Sequence, residues 1–334
     1  MSSLVLVANA GDGTITSLRL HDGDSPRLET LTTTTVGDGC GTLAIDHERG
    51  LVYAATKQPH VVTLRVDTTS GELTELSRTE VHDTLAYIAL ARGGEVALGA
   101  SYDGACGLSW PVRDGVLGER ASKVEHANAH CILPVGEHAY VVALGDDEIA
   151  QYRIGEDATL TPLDPATVTA PEGSGPRHLV VDGDDAYLVT EFSAEAIRFE
   201  VAPDGTLTRR EAARIDDPSE NLGHSDIDAD PVEKHYRWGA EVKRAGRWLL
   251  CSERTASTIA TVEVDDDGTL GEVVAIARTE KQPRAFGVTP DGQYVVSVGE
   301  KSTRASLCRI EDDGFLTEIG HAEVGDKARW VEFV

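Results

Sequence analysis

The sequence predicts an all-β fold, a seven-bladed β-propeller, and two observations carry that prediction. First, a turn followed by leucine recurs as Gly-x-Leu or a close variant. The leucines are Leu28, Leu73, Leu117, Leu160, Leu207, Leu270 and Leu316. The steps between them are 45, 44, 43, 47, 63 and 46 residues, so seven units tile the chain and one unit is long. Second, each unit contains short β-like runs. Four short strands in about 45 residues is the pattern of a propeller blade.

The β-like runs are clearest in the hairpins of the units. Residues 51–55 are followed by 61–66, residues 186–190 by 196–201, and residues 294–298 by 305–310. Apolar residues alternate with polar ones or run on for several positions, and Gly, Asp, Pro or Asn bound each run. A pair of β-sandwiches is the alternative all-β fold, but it would not produce a sevenfold period.

One further run in each unit precedes the hairpin and is predicted to line the central channel. These inner strands are residues 42–46, 85–90, 130–133, 177–181, 240–243, 284–288 and 329–333. The last lies at the C-terminus, whereas the chain begins with an outer-strand run at 4–7. We therefore expect one C-terminal inner strand to close the ring by joining three N-terminal outer strands, which buries the free sheet edges.

Residues 1–334 are expected to form one propeller domain with a single insertion. The long unit contains extra residues at 216–238, which are polar and acidic and include Pro218, Gly223 and Pro231. This composition is typical of a loop, and loops of this length are usually functional or mobile. We expect it on a rim of the propeller, over the site.

Charge excludes two classes of partner. Asp and Glu total 57 against 30 Lys and Arg, a formal net charge of −27. Such a surface repels nucleic acid and anionic membranes, so neither is an expected partner. Only seven of the 30 cationic residues are Lys. An acidic, lysine-poor surface suits a salt-rich cytoplasm, where charges are screened within about 3 Å at 1 M salt, and a halophilic source is one hypothesis.

The remaining composition indicates a cytoplasmic protein. We see no secretory leader at the start of the chain and no apolar run near the roughly 20 residues of a membrane span. The five cysteines are odd in number and have no metal-ligand spacing, so we expect reduced, buried thiols. We expect a monomer or a weak homo-oligomer.

Cationic residues open four of the predicted inner strands. They are His130, Arg177, Arg284 and Arg329, at comparable positions of their blades. In a propeller the inner strand starts at the face to which the next strand returns, so return loops should add residues there. Those residues are Tyr102, Glu191, Glu253, Arg254, Glu300 and Lys301. Arginine forks suit carboxylate or phosphate, which predicts a cationic, anion-binding site. The alternative is a purely structural role, in which the channel arginines only pair with carboxylates of the channel.

Several segments resemble the propeller-type 6-phosphogluconolactonase family, which includes fungal-type carboxymuconate lactonising enzymes. They are residues 175–178 (Gly-Pro-Arg-His), 190–193 (Thr-Glu-Phe-Ser), 253–257 (Glu-Arg-Thr-Ala-Ser), 282–286 (Gln-Pro-Arg-Ala-Phe) and 299–302 (Gly-Glu-Lys-Ser). The family site has one His, two Arg and one Glu. The resemblance places the arginines at Arg177 and Arg254 and the glutamate at Glu191. Either Asn128 or His130 matches the histidine, and we choose His130. One departure lies at Glu241 and Lys243, where the family pattern commonly has Asp and His.

The resemblance implies a lactone hydrolase acting on 6-phosphogluconolactone. Because lactone hydrolysis is intrinsically easy, we expect no cofactor and no metal. In this hypothesis His130 removes a proton from water, Glu191 orients His130 or shares that role, and Arg177 and Arg254 hold the lactone oxygens. The expected substrate-binding residues are Arg284, Arg329, Lys301, His178 and Tyr102. The alternatives are a lactonase or cycloisomerase for another anionic or sugar lactone, and a non-catalytic propeller scaffold.

Overall fold

The computed structural model describes residues 2–23 and 25–334. Strands make up 58% of it, and seven sheets are arranged as a β-propeller, which confirms the predicted fold class. The strands follow one another in antiparallel pairs from the inner to the outer edge of each blade.

Each blade is built from strands that are consecutive in the chain, apart from the closing strand of blade 1. Blade 1 begins with β1 (Ser2–Asn9), β2 (Thr14–His21) and β3 (Arg27–Thr35). Blade 2 contains β4 (Thr42–Asp46), β5 (Leu51–Ala55), β6 (His60–Val66) and β7 (Leu73–Glu80). Blade 3 contains β8 (Tyr87–Ala91), β9 (Val96–Ser101), β10 (Cys106–Arg113), β11 (Val116–Leu117) and β12 (Ser122–Glu125). Blade 4 contains β13 (Ala129–Val135), β14 (His138–Ala143), β15 (Glu148–Ile154) and β16 (Leu160–Thr169).

The second half of the chain continues the pattern. Blade 5 contains β17 (Pro176–Asp182), β18 (Asp185–Thr190), β19 (Glu195–Val201) and β20 (Leu207–Arg214). Blade 6 contains β21 (Gly239–Ala245), β22 (Trp248–Glu253), β23 (Thr258–Val264) and β24 (Leu270–Arg278). Blade 7 contains β25 (Ala285–Val288), β26 (Tyr294–Val298), β27 (Arg304–Ile310) and β28 (Leu316–Glu323). The C-terminal strand β29 (Ala328–Phe333) pairs with β1, from Val5 opposite Phe333 to Asn9 opposite Ala328.

The inner strands form a closed ring. β4, β8, β13, β17, β21, β25 and β29 each contact the inner strand of the blade before and the blade after. Seven apolar clusters fill the seven interfaces between blades. Because blades pack face to face, a middle strand such as β5 is buried at every position, whereas the outer strand β7 alternates between exposed and less exposed residues.

The recurring Gly-x-Leu turn joins neighbouring blades. Each of the seven leucines is buried. In the six units after the first, the preceding turn residue has a positive φ, and its carbonyl accepts a hydrogen bond from a hydroxyl of the previous blade. The pairs are Ser17–Gly71, Thr63–Gly115, Ser109–Ala158, Tyr140–Gly205, Tyr187–Gly268 and Thr261–Gly314, at 2.6–2.8 Å. The sequence period is therefore the period of the contacts between blades.

Replacing Gly205 by alanine should destabilise the protein more than the same change at Gly183. Both glycines have positive φ, +85° and +61°, where a β-carbon costs roughly 1 kcal/mol. At Gly205 the new β-carbon would also lie 2.6 Å from the His138 ring, whereas nothing lies within 4 Å at Gly183. We expect the free energy of unfolding to fall by about 3 kcal/mol for Gly205→Ala and about 1 kcal/mol for Gly183→Ala. Urea unfolding measures both, and equal losses would contradict the interblade contact.

The long unit has its extra residues between β20 and β21. They contain a 3₁₀ turn at Pro218–Glu220 and the short helix α1 (Pro231–Lys234). Buried Asp216 anchors the segment, because its carboxylate binds Arg214 at 2.7 Å and Arg237 at 3.1 Å. Asp230 caps α1 by accepting the N–H groups of Val232 and Glu233. Among the described residues, no helix has both the length and the apolar character that crossing a membrane requires.

Candidate active site

One cavity of about 450 Å³ lies where the seven inner strands begin. The residues that open these strands, or directly precede them, line it: Gly39, Gly41, Leu85, Ala86, His130, Arg177, His178, Trp238, Arg284, Arg329 and Trp330. Return turns after the second strand of a blade add Lys57, Tyr102, Asp103, Glu191 and Arg254. The volume suits a small metabolite, since ligand pockets typically measure about 300–1,000 Å³.

The structure brings together eight of the nine residues predicted for the site. They are His130, Arg177, Glu191, Arg254, Arg284, Arg329, His178 and Tyr102. The exception is Lys301, which is exposed and does not line the cavity. Its neighbour Glu300 is buried and bonds Arg329, so the turn directs Glu300 inward and leaves Lys301 in solvent. Of the two candidates for the histidine position, His130 lines the cavity and Asn128 does not.

Two buried arginines converge on one carboxylate. Arg177 and Arg254 are each 1% exposed and are the largest fully buried side chains among the described residues. Glu191 Oε2 accepts from Arg177 Nε at 2.8 Å and forms an ion pair with an Arg254 guanidinium nitrogen at 2.9 Å. Glu191 Oε1 accepts from the indole of Trp238 at 3.0 Å. The expectation that Glu191 orients His130 is therefore wrong, because its hydrogen bonds go to these three residues.

Burial and mutual repulsion shift the ionisation of this cluster. Burial lowers the pKa of Arg177 to about 10 and that of Arg254 to about 9, so both remain protonated at neutral pH. Burial opposes ionisation of Glu191, yet Arg254 and then Arg177 hold its pKa below the ordinary value. The cluster therefore carries two positive charges and one negative charge. A buried charge without a matching partner costs free energy, which argues for a role other than stability.

A second arginine pair shares a second carboxylate. Glu300 Oε1 accepts from Arg329 Nε at 2.6 Å, and Glu300 Oε2 lies 3.9 Å from Arg284 Nη1. Both arginines keep part of their side chain accessible, 39% for Arg329 and 25% for Arg284. Their remaining donors are available to a ligand in the cavity.

Two histidines lie side by side in the cavity. The ring centroids of His130 and His178 are 5.0 Å apart, and Tyr102 packs edge-on against His130 with centroids 6.0 Å apart. His178 Nδ1 lies 3.0 Å from Glu241 Oε1. His130 Nε2 lies 3.4 Å from an Arg284 nitrogen.

Three of the lining residues that the sequence interpretation did not assign to the site carry large or charged side chains: Trp238, Trp330 and Lys57. Trp238 and Trp330 both line the cavity, and the Arg254 guanidinium lies 3.7 Å from the centre of the Trp238 ring. Trp238 ends the inserted segment, so the insertion does reach the site. Lys57 was not singled out, although a lysine in a return turn of this lysine-poor chain was a usable signal.

One group of side chains among the described residues could hold a metal ion. The ligand atoms of His126, Asp146 and Glu148 lie within 4.8 Å of one another. None of the three lines the cavity, and His126 also bonds the Tyr152 hydroxyl at 2.7 Å.

Comparisons with known proteins agree with this architecture. The family model for "Lactonase, 7-bladed beta-propeller" matches residues 5–333. The chain is 30% identical over 279 residues to a 6-phosphogluconolactonase of Klebsiella pneumoniae, covering 81% of each chain. It is 28% identical over 320 residues to that of Cronobacter sakazakii, covering 91% of this chain and 92% of the relative.

A solved structure shows the same fold at lower identity. The periplasmic gluconolactonase of Pseudomonas aeruginosa superposes with a TM-score of 0.87 and 21% identity, covering 100% of this chain and 99% of the other. With the sequence match over residues 5–333, the chain belongs to the lactonase family of seven-bladed β-propellers.

Proposed function

We propose that this protein hydrolyses 6-phosphogluconolactone to 6-phosphogluconate, with His130, Arg177, Glu191 and Arg254 at the reacting centre. Arg284 and Arg329 hold the phosphate. The 6-phosphogluconolactonases of Klebsiella pneumoniae and Cronobacter sakazakii, similar over most of their length, support the choice of substrate.

The observation that carries the proposal is the charge of the cavity. Four guanidiniums share two carboxylates, Glu191 and Glu300, in a chain whose net charge is −27. Lys57 adds a further cation to the lining and Asp103 a further carboxylate, so the positive surplus of the four guanidiniums over Glu191 and Glu300 remains. A phosphate monoester carries about −1.5 to −2 at neutral pH, so it would balance the surplus that the protein leaves uncompensated. Arginine forks are suited to phosphate geometry.

Lactone hydrolysis needs an activated water and a stabilised oxyanion. The Arg177–Glu191–Arg254 cluster is buried and fixed before substrate binds, and such preorganised donors are the main source of oxyanion stabilisation. Arg177 also donates to the Ala240 carbonyl, and Arg254 to those of Trp238 and Gly239, which fixes both side chains. The water proton needs an acceptor, and the cavity provides two imidazoles, His130 and His178.

A substrate panel tests the proposal. Freshly made 6-phosphogluconolactone, unphosphorylated gluconolactone and a muconate would be compared by kcat/KM, with spontaneous hydrolysis subtracted. We expect kcat/KM to be about 10²-fold higher for the phosphorylated lactone than for gluconolactone, because one or two hydrogen bonds to a charged group contribute that much binding free energy. A preference for unphosphorylated lactone or for muconate would redirect the assignment to another lactonase or to a cycloisomerase. No turnover of any of them would favour a scaffold.

We further propose a cytoplasmic location and catalysis without a cofactor, on a small anionic lactone. The five cysteine thiols are buried and unpaired, as is usual where thiols stay reduced. The acidic net charge opposes binding to nucleic acid or anionic lipid.

A further inference from the structure

The two cavity histidines differ in the charges that surround them. His130 is 4% exposed, and its Nδ1 is buried without a hydrogen-bond partner among the described residues. Burial lowers its pKa well below the ordinary value, and Arg177, His178, Arg284 and Arg254 lower it further. A proton placed on His130 would face cations and no neutralising carboxylate within ion-pair distance in the described part of the chain.

His178 has a carboxylate behind it. Glu241, itself 3% exposed, lies on β21 with Oε1 3.0 Å from His178 Nδ1. Burial opposes ionisation of Glu241, but Lys243 and then His178 lower its pKa to about 2, so it is charged. The charged carboxylate must accept a hydrogen bond, so Nδ1 carries the hydrogen of the neutral ring and Nε2 keeps its lone pair. The Val242 N–H also donates to Oε1, which fixes the carboxylate.

We infer that His178, oriented by Glu241, accepts the proton of the hydrolytic water, and that His130 stays neutral beside the substrate. The inference rests on the proposed lactone hydrolysis. The water oxygen bonds to the lactone carbonyl carbon while its proton passes to His178 Nε2. Collapse of the tetrahedral oxyanion breaks the bond between that carbon and the ring oxygen. The ring oxygen receives the proton from His178 Nε2 and becomes a hydroxyl. The new carboxylic acid loses its proton to solvent.

The charged groups around His178 explain why it, and not His130, accepts the proton. Arg177 Nη1, on the same strand, lies 3.4 Å from His178 Nε2, and because a guanidinium can only donate, Nε2 is the acceptor of this long contact, as a lone pair on that nitrogen requires. Lys243 on β21 and Arg177 both disfavour a protonated ring, and Glu241 favours it. His130 on β13 and Tyr87 on β8 are neutral neighbours, with Tyr87 edge-on at 5.4 Å between ring centroids, and the Trp330 indole on β29 is 5.8 Å away. Glu241 is therefore the charge that makes His178 the better acceptor of the two.

The pH dependence of kcat/KM separates this role from a structural one. Burial lowers the pKa of His178 to about 4, with Glu241 opposing, so wild-type activity should fall on the acid side near that value. Glu241→Gln keeps the shape and removes the charge, which lowers the pKa of His178 further. We expect this variant to lose about 10²-fold in kcat with little change in KM, and its acid limb to move to lower pH. His178→Asn should lose about 10³-fold in kcat, and its kcat/KM should no longer fall at acid pH. His130→Asn should keep the limb.

Nitrogen NMR of histidine-labelled wild-type protein gives a test that needs no variant. At neutral pH we expect His178 to carry its hydrogen on Nδ1 and a lone pair on Nε2. The inference is overturned if Nε2 carries the hydrogen, if Glu241→Gln leaves the acid limb in place, or if the limb disappears in His130→Asn and survives in His178→Asn. These outcomes arise in an enzyme that is active on the lactone. If the proposed function itself is wrong, the wild-type protein will show no rate above spontaneous hydrolysis, and the inference fails with it. This result is distinguishable from the outcomes above, which all require an active wild-type enzyme.

Discussion

Arg177→Ala should lower kcat/KM for lactone hydrolysis by about 10³-fold while the propeller stays folded. The Arg177 guanidinium is buried, fixed by Glu191 and the Ala240 carbonyl, and exposed to substrate only through the cavity. It is therefore positioned to stabilise the oxyanion and contributes little to solubility or surface charge. The loss should fall mainly on kcat, because the interaction strengthens as negative charge develops in the transition state. Steady-state kinetics with 6-phosphogluconolactone measure it.

Two further variants control for effects of Arg177→Ala on folding and on charge. Glu191 retains Arg254 and Trp238 as partners in the variant, so no carboxylate is left buried alone. Arg177→Lys keeps the charge but loses the fork, and we expect an intermediate rate. Arg198→Ala removes an ion-paired arginine of the same blade that binds Asp185 outside the cavity, and its rate should match wild type. A folded Arg177→Ala enzyme with wild-type kcat/KM would remove Arg177 from the mechanism.

The fold could be predicted from the sequence because its period has a local cause. Each turn glycine needs a positive φ, and each leucine fills the gap between blades, so the same residues recur about every 45 positions. Once the inner strands are located, Arg177, Arg284 and His130 must share one face, because equivalent positions of blades share a face. This reasoning needs no knowledge of side-chain conformations.

The partners of the site residues could not be predicted in the same way. They depend on contacts between blades that are distant in sequence, such as Arg177 with Ala240 and His130 with Arg284, 63 and 154 positions apart. Which side chains Glu191 can reach does not follow from the spacing of residues, and this is why the expectation that it orients His130 did not anticipate its bonds to Arg177, Arg254 and Trp238. Trp238 was missed because it ends an irregular insertion, where the repeat gives no register.

Replacing both Arg284 and Arg329 by alanine should lower the preference for phosphorylated over unphosphorylated lactone by about 10²-fold. The reason is that a hydrogen bond to a charged group contributes about 1.5–3 kcal/mol. Both guanidiniums are partly accessible and share one carboxylate, Glu300, so they are the donors best placed for a dianion. The effect should appear as a higher KM for the phosphorylated lactone and a much smaller change for gluconolactone. Parallel kinetics on the two lactones measure the ratio.

A change at Glu300 should act in the opposite direction. Glu300→Gln removes the negative charge that Arg329 and Arg284 share, so both should bind phosphate more tightly and the KM for the phosphorylated lactone should fall. Arg304→Ala is the matched control, because Arg304 belongs to the same blade but pairs with Glu280 and does not line the cavity. If Glu300→Gln and the double arginine variant change the ratio in the same direction, the two arginines act through the architecture of the channel and not as the phosphate site. Opposite changes, with Arg304→Ala unchanged, would tie the preference to the uncompensated charge at this end of the cavity.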